Sequence, residues 1–166
     1  MMSMTPPEFV LDTNIFVQAN LGYYAPDICP SFWQVLLEEF RNERIVSIDK
    51  VRDEIFRIDD NLKEWVRTGA SAMFVSSELQ PVVDAFADMV AWVQQNEFTP
   101  AAKAEFLDAA DGWVAAYASV HNATVVTLET FDANIKRRVK LPNVCRQFNV
   151  EFINTFEMLR RLGIRF

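Results

Sequence analysis

Short apolar runs ending in polar residues alternate with stretches of helical spacing along the chain, and the first run sets the frame for the rest. Phe9-Val10-Leu11 reads as a short strand buried on both faces that stops abruptly at Asp12-Thr13-Asn14. An acid, a hydroxyl and an amide in that place suit a turn or helix cap. They equally suit a site at the carboxyl edge of a parallel sheet, where strand-to-helix loops converge.

Gly22, Pro26 and Pro30 then punctuate a loop, after which Ser31 can cap a helix through Phe32, Trp33, Val35, Leu36, Leu37 and Phe40. Arg44 to Ile48 predicts a second strand. It leads into a helix in which Val51, Ile55 and Ile58 repeat at helical spacing, with Glu54 near the strand's carboxyl edge. A short helix over 61–69 and an extended piece over 73–75 follow. Ser76 or Ser77 caps a longer helix with Val82, Val83, Phe86, Ala87, Val90 and Val93 as its apolar stripe, broken at Thr99-Pro100.

The Ala-rich stretch 101–121 predicts one helix, which puts Asp108 and Asp111, three apart, on a shared face. Asn122 ends it. Residues 124–128 predict a third buried strand, with Glu129 just past its end and Asp132 three residues on. The basic run 135–140 closes at Pro142, 150–154 predicts the last strand, and Thr155 caps a final helix through Phe156, Met158, Leu159 and Leu162. Strands alternating with helices imply an α/β fold with a central parallel sheet covered on both faces by right-handed crossovers.

Length and composition narrow the class. The 166 residues suit a single domain spanning 1–166, and 51% hydrophobic content with only four Gly excludes disorder. No apolar run reaches the roughly 18–20 residues of a membrane span. Met1-Met2-Ser3-Met4 lacks the regions of a signal peptide, so no membrane association and a cytoplasmic location are expected. Cys29 and Cys145 match no zinc or disulfide spacing. A single histidine, His121, excludes HExxH-type metal sites and leaves a Ser-His-Asp triad only if His121 itself serves; closing a helix is its expected role. A net charge of −7 argues against a general nucleic-acid binder, leaving room for a local basic patch or an acidic pocket that a cation neutralises.

Asp12, Glu54, Asp111 and Glu129 fall at equivalent places around strand ends and are expected to converge. Carboxylates gathered without His or Cys suit hard cations such as Mg²⁺ or Mn²⁺, which orient water and stabilise charge on a phosphodiester. Asp108 reads as an outer neighbour of the cluster or as plain surface. Lys136, Arg137, Arg138 and Lys140 read as a solvated face or, at the mouth of an acidic pocket, as a grip on RNA phosphates.

The chain resembles the PIN-domain ribonucleases, in particular the VapC-like toxins of type II toxin–antitoxin systems. The residues that carry the resemblance are Val10-Leu11-Asp12-Thr13-Asn14, Val51-x-x-Glu54-Ile55, Asp111-x-x-Val114-Ala115-Ala116-x-Ala118, and Val125-Val126-Thr127-Leu128-Glu129. The resemblance implies a three-layer α/β/α PIN-like fold and Mg²⁺- or Mn²⁺-dependent cleavage of single-stranded RNA. It also implies a cognate antitoxin as partner. Asp12, Glu54 and Asp111 would be the core acids, with Thr13, Asn14 and Thr127 supporting. Many PIN domains carry Asp where Glu129 stands, so either Glu129 or Asp132 is the fourth acid here. A non-catalytic PIN-like scaffold is the alternative. A receiver-type phosphoryl-transfer domain is disfavoured, because it needs paired acids after the first strand and a lysine after a late one. The number of large apolar residues over 82–93, Phe86, Val90 and Trp92 among them, further suggests a homodimer or antitoxin contact.

Overall fold

The computed structural model describes residues 6–166; the Met1-Met2-Ser3-Met4 segment, expected to carry no leader, lies outside them. The continuous apolar runs become strands: β1 is Phe9–Leu11, β2 Ile45–Ile48, β3 Phe74–Val75, β4 Thr124–Val126 and β5 Phe152–Ile153. All pair in parallel in the order β3-β2-β1-β4-β5, with Val10 opposite Val46 on one side and Val125 on the other. β1 is central and wholly buried, which is why its sequence is continuously apolar rather than alternating.

Helices α1 (Thr13–Leu21), α2 (Pro30–Arg41), α3 (Asp49–Ile58) and α4 (Asp60–Trp65) fill the connections that build the β1-β2-β3 side. Helices α5 (Gln80–Gln95), α6 (Pro100–Asp108) and α7 (Asp111–His121) carry the chain back across, α8 (Leu141–Gln147) joins β4 to β5, and α9 (Thr155–Leu162) ends it. The result is the three-layer α/β/α fold. The chain leaves β1 toward β2 and β3, then returns to place β4 on β1's other side. The loops after β1 and β4 therefore part in opposite directions and open a crevice at the carboxyl edge. Among the described residues, no helix is long and apolar enough to cross a membrane.

Several local expectations are corrected. The stretch expected to be loop after Asn14 begins with α1, because Ile15, Phe16 and Ala19 bury one side of it and Asp12 caps it. Ser31 is inside α2, which starts at Pro30 with Cys29 before it, proline being suited to a helix's first turn. Neither Ser76 nor Ser77 caps α5. The buried Ser77 hydroxyl instead donates to Asp49 Oδ1 at 2.6 Å, and the helix begins three residues later. The stripe of α5 is Val82, Met89 and Val93, with Val83 and Ala87 outside it. Pro142 does not close an element but opens α8, and Asn154, not Thr155, caps α9 through a bond from Glu157 N–H. β4 stops at Val126, and Leu128 is exposed.

The aromatic surplus on α5 has internal partners. Phe86 stacks on Trp113 at 4.0 Å between centroids and on Phe106 at 6.1 Å, while Trp92 meets Phe98 and Phe148 edge-on. These contacts leave Phe86, Val90 and Trp92 partly buried within the chain. Both cysteines are free, Cys145 fully buried and Cys29 partly so.

Candidate active site

Asp12 stands at the carboxyl end of β1, 1% exposed, where it caps α1 and lines the crevice. Its Oδ1 accepts the Thr13 N–H at 2.7 Å as the cap of α1, and its Oδ2 accepts the Thr127 hydroxyl at 3.0 Å. The cap fixes the carboxylate where the crevice opens. Burial first, then the charge on Glu129, raise its pKa from the ordinary 3.8 to about 7, against the opposing effect of the Thr127 and Thr13 hydrogen bonds. Thr127 accepts the Glu129 N–H at 3.2 Å as well, so one hydroxyl ties the β1 and β4 ends together. Thr127→Val keeps the shape and deletes both bonds; it should cost about 1–3 kcal/mol, read by denaturant unfolding at pH 8.

Glu54, on α3, bridges the two halves of the crevice. Its Oε1 accepts the Thr13 hydroxyl at 2.6 Å and its Oε2 accepts the Ala110 N–H at 3.0 Å, 56 residues away. This second bond corrects the single helix expected over 101–121. Ala109 is extended, α6 ends at Asp108 and α7 begins at Asp111. Asp108 and Asp111 therefore sit on different helices and share no helical face, although both line the cleft. Gly112, next to Asp111, lets α7 seat tightly, since a Cβ there would stand 2.6 Å from Phe106 Cζ and 2.8 Å from Phe86 Cε2. The Asp111 pKa is raised well above the ordinary carboxylate value, by burial first and then by repulsion from Asp12, Glu129 and Glu54, with Arg138 opposing.

Glu129 lies beyond β4 with both oxygens engaged, Oε1 by the Arg138 guanidinium and Oε2 by the Leu141 N–H at 2.9 Å. Asp132 turns away: its backbone N–H donates to Asn143 Oδ1 and its carbonyl accepts from Asn143 Nδ2, while its carboxylate receives the Asn134 N–H. Neither acid is among the residues that line the cleft; Glu129 is the one whose charge acts on Asp12 and Asp111. The basic run is likewise divided. Arg138 lines the cleft; Lys136 lies against the Phe98 ring, Lys140 reaches Thr130, and Arg137 is exposed.

The cleft has a volume of about 410 Å³ and is also lined by Thr13, Asn14, Arg57 and Glu105. The last two were not anticipated. Arg57 follows Glu54 by three on α3 and Glu105 precedes Asp108 by three on α6, so helical spacing from the named acids reaches both. His121 closes α7, its Nδ1 within 2.9 Å of the Tyr117 carbonyl. Ten residues along the helix from Asp111, it lies roughly 15 Å away and takes no part. Among the described residues, no three His, Cys, Asp or Glu side chains are already gathered into an ion cage.

A parallel α/β/α domain with buried acids at its topological switch is the class this geometry defines. The chain belongs to the family described as a domain of unknown function (DUF4411), which matches residues 9–166. Among solved structures, the fold is similar to that of FitAcB from Neisseria gonorrhoeae, with a TM-score of 0.52 at 17% identity over 89% of this chain and 98% of that one. No curated protein matches the chain.

Proposed function

We propose that the protein is a divalent-cation-dependent endoribonuclease of the PIN-like, VapC-like toxin type, cleaving single-stranded RNA and restrained by a cognate antitoxin. The observation that carries the reading is the pair Asp12 and Asp111, two carboxylates with raised pKa at one topological switch, with Glu54 and Glu129 beside them. Neither carboxylate of the pair makes an ion pair among the described residues. The donor set fits Mg²⁺ or Mn²⁺, because Mg²⁺ is ordinarily held by one or two carboxylates, with water and substrate phosphate oxygens completing its shell.

Bound there, the cation would supply an activated water and offset the charge that grows on the scissile phosphate. The protein's own residues do the positioning. Thr13 N–H and Thr127 hold Asp12 in one orientation, and Glu54 fixes the Ala110 N–H at the turn that delivers Asp111. Glu129, paired with Arg138, adds negative potential without an open oxygen of its own, and Arg57 and Arg138 line the cleft where RNA phosphates would approach. No histidine is needed.

The engagement of both oxygens of Glu54 and of Glu129 is the specific observation behind a second reading, a PIN-like scaffold without catalysis. Labelled single-stranded RNA incubated with the purified protein in Mn²⁺ and in chelator separates the two. Cleavage in Mn²⁺ that chelator abolishes is expected; intact RNA in both would establish the scaffold.

A further inference from the structure

The segment that carries Glu129 and Arg138 also walls a second cleft, of about 320 Å³, whose chemistry differs from the first. Trp92, Phe98 and Phe131 give it aromatic faces, Lys136 and Arg146 give it charge, and Gln147 sets an amide at its edge. Arg146 lies over the Phe131 ring, its guanidinium carbon 3.8 Å from the centroid, and Lys136 Nζ stands 5.7 Å from the centroid of Phe98. Trp92 meets Phe98 edge-on at 5.7 Å. In a chain of net charge −7, not one acid lines this cleft. The ion pairs among the described residues use Arg44, Lys50, Arg52, Arg138, Arg160 and Arg161, so neither Lys136 nor Arg146 is neutralised by a carboxylate. The wall is also pre-built: the Asn143 amide grips the Asp132 backbone from both sides and fixes the loop that presents Phe131.

From these features we infer a nucleotide subsite for single-stranded RNA, an inference that rests on the ribonuclease reading for its substrate. Unpaired bases stack on aromatic rings and on guanidinium planes, and are read by amide groups along their edges. Arg146 over the Phe131 ring sets a guanidinium beside an aromatic ring in the cleft wall, Gln147 can hydrogen-bond a base edge, and Lys136 can meet a phosphate. Lys136 precedes by two the Arg138 that lines the acidic cleft, so that backbone step from one cleft to the other spans at most roughly 7 Å. An extended RNA lying across the carboxylates reaches the subsite within its next nucleotides. The subsite also reconciles RNA binding with an acidic chain, by concentrating unpaired positive charge where no acid stands.

The test uses the full chain carrying Asp12→Asn, so that RNA is bound without being cut, and follows a labelled single-stranded oligonucleotide by fluorescence anisotropy. Adding Arg146→Ala or Lys136→Ala should weaken binding and make its salt dependence shallower by about 0.7 per cation removed. Phe131→Leu, which keeps apolar bulk but loses the ring face, should weaken binding about 5- to 150-fold with the salt slope unchanged. Unchanged affinity in all three variants, with unchanged melting, overturns the subsite, as does equal competition by polyglutamate, which would mark an acidic-peptide groove. Should a variant fail to fold, titration of the unsubstituted protein with AMP and UMP decides by NMR. Shifts of the Trp92 indole N–H and the Gln147 amide are expected, and their absence overturns the proposal. Variant-sensitive binding in a protein that cleaves nothing in Mn²⁺ would keep the subsite and remove the ribonuclease reading; cleavage with variant-insensitive binding would do the reverse.

Discussion

Asp12→Asn should lose RNA cleavage by well over a hundredfold while the protein melts at the same or a higher temperature in chelator at pH 8. Outer-shell partners of a bound ion cost about 10–100-fold when removed, so loss of a direct ligand costs more. The stability half of the expectation follows from the contacts. An asparagine Oδ1 can keep the Thr13 N–H, and its Nδ2 can donate to the Thr127 hydroxyl, which then accepts from both the new amide and the Glu129 N–H. One buried negative charge disappears from beside Glu129, Glu54 and Asp111, and with it a repulsion that no cation offsets in chelator. Cleavage and thermal melting are to be measured on the same preparations in Mn²⁺ and in chelator. Undiminished cleavage would sink the proposed mechanism. Loss of fold together with activity would assign Asp12 to structure alone, as the cap of α1.

What the sequence discloses about this site depends on how local each signal is. Asp12 is legible because Phe9-Val10-Leu11 is continuously apolar and the change to polar residues is abrupt, as a strand buried on both faces requires. Glu54 and Glu129 are legible for the same reason, each being a short step past a buried strand. The break between α6 and α7 is not, since no glycine or proline marks Ala109-Ala110. It is imposed by the Glu54 carboxylate drawing the Ala110 N–H out of helical pairing from 56 residues away. Helical spacing predicts a shared face for Asp108 and Asp111, yet both line the cleft only because two helices abut there. The placement of Asp132 is equally non-local, fixed by an amide on α8, a helix that the sequence hides because Pro142 reads as an end while proline also suits a first turn. The basic run shows the same limit. Five adjacent positions look like one patch in sequence, and the folded segment sends Arg138 to the acids and Lys136 to an aromatic cleft.

In chelator, the melting temperature should be highest near pH 5 and fall by on the order of 10 °C toward pH 8. The sign follows from the direction of the two shifts. Asp12 is raised from 3.8 to about 7 and Asp111 is raised well above its ordinary value, so between these limits the folded chain holds protons that the unfolded chain has released. Stability rises with pH only where the unfolded state binds more protons; here it binds fewer, and stability falls as pH climbs through the window. Of that shift, roughly two units lie between pH 5 and pH 7, and at about 1.4 kcal/mol each they give about 3 kcal/mol for Asp12 across the window. At roughly 2–4 °C per kcal/mol for a chain of this size, that is about 6–12 °C. The exposed Glu151 works in the opposite sense. Its carboxyl is held below the usual range by the Arg161 and Thr124 hydrogen bonds, so its contribution is lost only on acidification below about pH 4, outside the window, and is small for a solvent-screened pair. Mn²⁺ or Mg²⁺ should raise the melting temperature most at pH 8 and flatten the profile, because a cation between the carboxylates favours their ionised forms. Asp12→Asn should flatten it without metal. Calorimetric scans at pH 5, 6, 7 and 8, with chelator and with Mn²⁺, read all of these effects at once. A melting temperature that climbs from pH 5 to pH 8 in chelator would show that the buried acids are already matched by positive charge, and that the cleft has no vacancy for a cation to fill.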